Sequence, residues 1–148
     1  MERDVDELRI LKRDGLFGII PPITVRLYDS QATATANYTT PFFTAQRTYE
    51  VIEFSERHET AESTAATLTL QLRKVPDGTA PASGTNILES GVNLKGTANA
   101  LRYGTVSQSI TSGAPVRRLI RGDSLCLIMS AAATELRGVT ATVLLKAI

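Results

Sequence analysis

The chain has 148 residues, 43% of them apolar and 21% charged, with a formal net charge of +1. These values suit one folded domain with a real core and exclude a disordered chain. Near-neutral charge provides no global field for nucleic acid or an anionic membrane, and no apolar run approaches the roughly 20 residues that span a bilayer. The first residues, Met1-Glu2-Arg3-Asp4-Val5-Asp6-Glu7, are too charged for a secretory signal. A lone cysteine, Cys126, excludes an internal disulfide framework. The expectation is a protein made in a reducing cytoplasm, with Cys126 as a small buried hydrophobe inside Leu125-Cys126-Leu127-Ile128-Met129.

Residues 1–22 read as an arm. Charges dominate up to Asp14, and Val5, Leu8 and Leu11 are spaced for one face of a short helix. Gly15, Gly18, Pro21 and Pro22 then stop any helix and force an extended exit. Leu16-Phe17-Gly18-Ile19-Ile20 is an apolar patch that is costly to leave in water, so the arm is expected to order against a neighbouring subunit, with a frayed terminus as the alternative.

From residue 23 to 148 the pattern is β throughout. Ile23–Tyr28 is a short strand, and Gln31–Thr40 is a loop or weak edge strand. Phe43–Ser55 is one longer strand, rich in β-branched and aromatic residues, and Glu56–Ser63 is a charged turn. Ala66–Val75 alternates apolar and polar residues without a break, the mark of a half-buried strand. It runs into Pro76-Asp77-Gly78-Thr79-Ala80-Pro81-Ala82-Ser83-Gly84, whose proline and glycine content suits a rigid turn. Ile87–Leu94 and Ala100–Ile110 are further strand candidates. Arg117–Ile120 leads through Arg121-Gly122-Asp123 into the strand Ser124–Ser130, and Gly138–Ala147 closes the chain with Val139, Ala141, Val143, Leu145 and Ala147 on one face. Seven or eight strands and no helical period after residue 14 predict an all-β β-sandwich, with a jelly roll as the expected topology. A core of Leu, Ile, Val and Ala follows from an aromatic content of 5% without tryptophan.

Candidate chemistry is sparse. The sole histidine, His58, lies in Glu56-Arg57-His58-Glu59-Thr60-Ala61-Glu62. A helical i, i+4 pairing with Glu62 would begin a metal site, but a solvated turn is the expectation, and no metal or cofactor is assigned. No serine sits in a Gly-x-Ser-x-Gly elbow, a buried thiol is a poor nucleophile, and no glycine loop for phosphate precedes a helix. The chain is therefore read as a non-enzyme. Arg121-Gly122-Asp123 matches a short cell-adhesion tripeptide, yet a Gly-Asp turn with the aspartate capping the backbone accounts for it. Arg117, Arg118 and Arg121, joined by Arg102, form a basic cluster that either meets an acidic patch on a partner or belongs to a solvated sheet face. Nucleic acid would require more basic residues interleaved with aromatics.

Lys74-Val75-Pro76-Asp77-Gly78-Thr79-Ala80-Pro81 followed by Gly84-Thr85-Asn86-Ile87-Leu88, and later Gly122-Asp123-Ser124-Leu125 followed by Gly138-Val139-Thr140-Ala141-Thr142-Val143, resemble small structural proteins of tailed bacteriophages. The resemblance covers roughly residues 45–148 and is closest to the capsid decoration, or cement, proteins of phages that infect cyanobacteria and other aquatic bacteria. It implies a β-sandwich or jelly-roll module that forms homotrimers, binds the major capsid protein of an assembled head and holds neighbouring capsomers together. The location it implies is the capsid surface of a virion made in a host cytoplasm. Similar folds build head fibres and tail parts, so a receptor- or carbohydrate-binding module is the alternative. That alternative has a thin supply of stacking aromatics, namely Tyr28, Tyr38, Tyr49 and Tyr103. The residues expected to meet partners are Leu16, Phe17, Ile19 and Ile20 of the arm and Arg117, Arg118 and Arg121 of the body.

Overall fold

Residues 22–26, 41–64 and 67–148 are described by the structure, a computed structural model. They form twelve strands: β1 (Ile23–Arg26), β2 (Phe43–Thr44), β3 (Tyr49–Arg57), β4 (Thr69–Val75), β5 (Thr85–Asn86), β6 (Val92–Asn93), β7 (Arg102–Gly104), β8 (Ile110–Thr111), β9 (Ala114–Pro115), β10 (Arg118–Leu119), β11 (Ser124–Met129) and β12 (Thr140–Ala147). A single 3₁₀ turn at Pro81–Ser83 is the only helical element among the described residues. The all-β expectation holds, with more and shorter strands than the seven or eight expected.

Two antiparallel sheets carry the body. The first runs β1-β12-β3-β10 with β7 also on β3, and the second runs β2-β11-β4-β5 with β6 also on β4. The first and last described strands pair with each other, Ile23 standing opposite Val143, while β2 lies beside β11. Each sheet turns one face inward. Val51 and Phe54 of β3 and Ala141, Val143 and Leu145 of β12 meet Leu70 and Leu72 of β4 and Leu125, Leu127 and Met129 of β11 in one core. Leu68, Leu94, Leu119 and Leu136 complete it, each fully buried. Packing of this kind stabilises by about 1.5–3 kcal/mol per large side chain removed from water. As the low aromatic content implied, aliphatic residues dominate, and Phe54 is the fully buried aromatic ring.

The segment Phe43–Ser55, expected as one strand, is two strands in different sheets. Its break falls at Ala45–Thr48. The buried Ala45 donates its N–H to the Asp123 carbonyl (2.8 Å) and accepts from the Gly122 N–H (2.9 Å), while Gln46 and Arg47 bend in solvent. The chain thereby crosses from the second sheet to the first. Strand propensity is continuous through this corner, and only the partner strands reveal it.

In β3 the register to β12 shifts: Glu53 faces Leu144, but Val51 faces Leu145. Ile52 is the extra residue of a β-bulge. Ile52 and Glu53 are consecutively exposed, and the bulge keeps Val51 and Phe54 both on the core face. The strand expected at Ile87–Leu94 survives only at Val92–Asn93. Ile87 and Leu88 are buried between the sheets, and an isolated bridge from Leu88 to Val106 stitches the two sheets along that side. Likewise Ala100–Ile110 is strand only at Arg102–Gly104 and at Ile110, where β8 and β9 form a hairpin. The central residues of that hairpin, Ser112 (φ 51°) and Gly113 (φ 78°), both lie in the left-handed region that tight hairpins require.

Candidate functional site

The chemistry-bearing residues fall at the two ends of the sandwich and along one of its edges. At one end the structure corrects the expectation of a solvated turn at Glu56–Ser63. β3 continues through Arg57, and the parity of Phe54 carries on to Glu56 and His58, which point inward and are fully buried. His58 Nδ1 lies 2.6 Å from Glu56 Oε1, and His58 Nε2 lies 3.2 Å from the Gly96 carbonyl. A carbonyl can only accept, so Nε2 carries a hydrogen, and one further proton is shared between Nδ1 and the carboxyl. The pair is therefore neutral as a unit, the state a buried site favours. Burial pushes the Glu56 carboxyl above its ordinary value, opposed by the hydrogen bond and charge of His58 and by the charge of Arg102. Arg102 stands opposite Glu56 in the register of β3 and β7. With both ring nitrogens engaged and no exposed surface, His58 is placed as a structural group of the sheet rather than as a base open to a substrate.

Glu62, also expected on the surface, is buried too. Its Oε1 accepts from the Thr64 N–H (2.9 Å), the Thr64 hydroxyl (2.6 Å) and the Thr134 hydroxyl (3.1 Å). Its Oε2 accepts from the N–H groups of Thr134 (2.7 Å), Glu135 (3.0 Å) and Leu136 (3.4 Å). Burial alone would raise this carboxyl, but the hydrogen bonds outweigh it and hold the group well below the usual carboxylate range. Besides the local Thr64, the donors come from a loop more than seventy residues away in sequence, so Glu62 ties that loop to the end of β3. Among the described residues, no group of three or more His, Cys, Asp or Glu side chains is arranged to hold a metal ion.

The opposite end is joined by Lys74, whose ammonium donates to the Arg118 carbonyl (2.9 Å) and so links the two sheets. Burial lowers this lysine, and the nearby Asp123 carboxylate opposes the shift. Asp123 is itself buried, with Oδ2 accepting from the Ile120 N–H (2.9 Å), which closes the Arg121-Gly122-Asp123 turn as the sequence suggested. The adhesion-like tripeptide thus turns its carboxylate into the protein. The Pro76–Gly84 loop is pinned by Arg73, which donates to the Asn86 side chain (3.0 Å) and to the Ala82 carbonyl (3.0 Å), as a rigid turn requires.

The expected basic cluster is smaller than its sequence. Arg117 and Arg118 both approach Glu50, at 3.3 Å and 4.0 Å, while Arg121 is exposed. Arg102 does not join them: β7 registers with Phe54–Glu56 and β10 with Tyr49–Glu50, about 15 Å apart along β3 at some 3.3 Å per residue. Leu16, Phe17, Ile19 and Ile20 lie outside the described residues.

Sequence reasoning missed the apolar character of the β7–β10 edge. Exposed large side chains concentrate there, with Leu101 at 57%, Tyr103 at 63%, Ile110 at 69% and Ile120 at 59%. The missed signal is the parity of inward neighbours: Gly104 packs against Phe54 and Leu88, and Leu119 is fully buried, so Tyr103, Arg118 and Ile120 face out. No helix among the described residues is long and apolar enough to cross a membrane. Comparison of the chain with protein-family models, with curated proteins and with solved structures finds no match in any of the three.

Proposed function

We propose that this chain is a virion structural protein of the capsid-decoration type: a non-enzymatic module that binds the assembled phage head, bridges neighbouring capsomers and associates with further copies of itself, as a homotrimer. The observation that carries the reading is the division of its side chains. The groups able to do acid–base chemistry (Glu56, His58, Glu62) are engaged inside the body, whereas apolar and basic side chains line one edge. A clamp needs rigidity and contact area rather than a reactive cleft.

The nesting of strand partners supports the jelly-roll topology. First pairs with last (β1 with β12), second with second-last (β2 with β11), and β3 and β4 pair with the strands between them. A long antiparallel hairpin rolled on itself produces such an order. A decoration protein stabilises by mass action, because it binds the assembled shell and not the loose subunits, and many weak copies on a symmetric shell add through effective concentration. The test is co-sedimentation of the purified chain with assembled heads of its own phage, beside unassembled capsid protein. Selective pelleting with heads, and heads that survive a higher temperature when decorated, are expected. No pelleting, or equal binding to unassembled subunits, would refute the role.

One observation favours the alternative of a receptor- or carbohydrate-binding module in a fibre or tail. A cleft of about 330 Å³ opens on the outer face of the second sheet, lined by polar side chains that include Thr69, Gln71, Arg73, Asn86, Glu89 and Ser130. Binding on a glycan array, abolished by Arg73→Ala, would shift the assignment to that role.

A further inference from the structure

We infer that residues 95–101 form a strap fastened by one proton: His58 holds the Gly96 carbonyl only while the Glu56–His58 pair carries that proton, and the strap is released when it leaves as the pH rises. The ends of the strap are fixed. Leu94 donates its N–H to the Leu68 carbonyl (2.9 Å), and Arg102 is in register with β3. Between them the chain runs through turns and bends without a strand or helix of its own. Its backbone meets the body at His58 twice. The Gly96 carbonyl accepts from His58 Nε2 (3.2 Å), and the Asn99 N–H donates to the His58 carbonyl (2.7 Å). Side chains add the Lys95 ammonium on the Ser63 carbonyl (3.4 Å) and a long contact from the Asn99 amide to the Glu59 carbonyl (3.5 Å). Asn99 takes φ 60°, a left-handed backbone that a residue with a side chain adopts at some cost and keeps only while its surroundings hold it.

His58 stands between two acceptors. Glu56 Oε1 lies 2.6 Å from Nδ1 and the Gly96 oxygen 3.2 Å from Nε2, and neither side chain reaches water. Holding both requires a proton on Nε2 and another between Nδ1 and Oε1. A further proton leaves both bonds in place, with an imidazolium donating to a neutral carboxyl. Loss of one proton leaves a carboxylate and a neutral imidazole with a single N–H. That hydrogen goes to Nδ1, because a hydrogen bond to a charged acceptor is roughly twice as strong as one between neutral groups. Nε2 then turns a lone pair to the Gly96 carbonyl, two acceptors face each other, and the strap loses one of its two backbone holds on His58. Arg102, opposite Glu56 on β7 with its guanidinium against Gly96, favours the carboxylate, while burial favours the protonated pair and outweighs it. From β12, Ala141 stands opposite Glu56 and brings no charge. Lys95 and Glu62 are turned to the Ser63 carbonyl and to residues 134–136, and Arg57, Glu59 and Arg137 are exposed. A group raised in the folded state keeps its stabilising proton at low pH and loses it as the pH climbs through the folded value, so the strap is closed in mild acid and opens toward alkali.

The experiment reads the ring directly in the full, unaltered chain. His58 is the sole histidine, so the ring nitrogens of isotope-labelled protein give a single pair of NMR signals whose shifts report which nitrogen carries hydrogen. Nε2 is expected to be protonated at about pH 6 and bare at about pH 9, with the remaining hydrogen on Nδ1. Amide exchange of Asn99, corrected for the intrinsic effect of pH, is expected to quicken about tenfold over the same step, the weight of one hydrogen bond, while amides of β11 and β12 keep their protection. Glu56→Gln supplies an amide N–H to Nδ1 at every pH and leaves the Nε2 hydrogen on Gly96, so in that variant Asn99 exchange is expected not to respond. Should Glu56→Gln fail to fold, the ring signals and exchange of the unaltered chain decide alone. A ring that keeps its hydrogen on Nε2 at about pH 9, Asn99 exchange that ignores pH, equal quickening throughout β11 and β12, or a folded Glu56→Gln chain that opens as the unaltered one does would each overturn the inference.

Discussion

Glu56 and Glu62 stand six residues apart, both buried, and their environments drive them in opposite directions. Glu56 is raised from the ordinary 4.5 because burial disfavours its charge. A group raised in the folded state stabilises below its unfolded value, and that contribution is lost as the pH rises through the folded value. Glu62 is lowered by its cage of donors, so its contribution is present above 4.5 and lost as the pH falls. The native protein is therefore expected to lose stability on both limbs. Thermal melts across pH should show Glu62→Gln removing part of the acid-limb loss and Glu56→Gln removing part of the loss on rising pH; identical limbs in the variants would contradict the assignment. At neutral pH, Glu62→Gln should cost about 1.5–3 kcal/mol, the scale of hydrogen bonds to a charged group. His58→Ala strands the buried Glu56 and should cost about 3–5 kcal/mol, the range for breaking a buried pair by removing one partner.

Strands here are held by what crosses between them more than by their own length. Gly104 shows this for β7: a Cβ at that position would stand 2.7 Å from Leu88 Cδ1 and 3.0 Å from Phe54 Cδ1. Gly104→Ala is thus expected to overpack the space between the sheets and cost about 1–3 kcal/mol in urea unfolding. Ile52 tests β3. Ile52→Thr changes only an exposed bulge residue and should stay within about 0.5 kcal/mol. Deleting Ile52 removes the bulge and leaves Val51 and Phe54 two residues apart, so regular alternation keeps both on the core face. A cooperative transition in urea is therefore expected for the deletion as well as for the substitution, and its loss on deletion would show that the bulge itself is required. Neither feature is visible in periodicity, since a bulge reads in sequence as a flaw in the alternation.

At the scale of the whole molecule, an arm and a rigid body are expected to separate in function. Deleting residues 1–20 should abolish binding to heads and self-association while leaving the melt of the body unchanged; binding by the truncated chain at full strength would remove the arm from the mechanism.

Thr69–Val75, Ser124–Met129 and Thr140–Ala147 were legible in the sequence because alternation and β-branched content are local properties that a strand needs wherever it lies. The burial of Cys126 and the closed turn at Asp123 were legible for the same reason, each being set by its immediate neighbours. The division of Phe43–Ser55 between two sheets was not, and neither were the inward turn of Glu56, His58 and Glu62 or the pairing of Arg117 and Arg118 with Glu50. Those outcomes depend on groups supplied from Gly96, Arg102 and residues 134–136. The sequence by itself determined an all-β chain with an aliphatic core. Only the tertiary structure decided which polar groups leave water, because desolvation is set by strands distant along the chain and near in space.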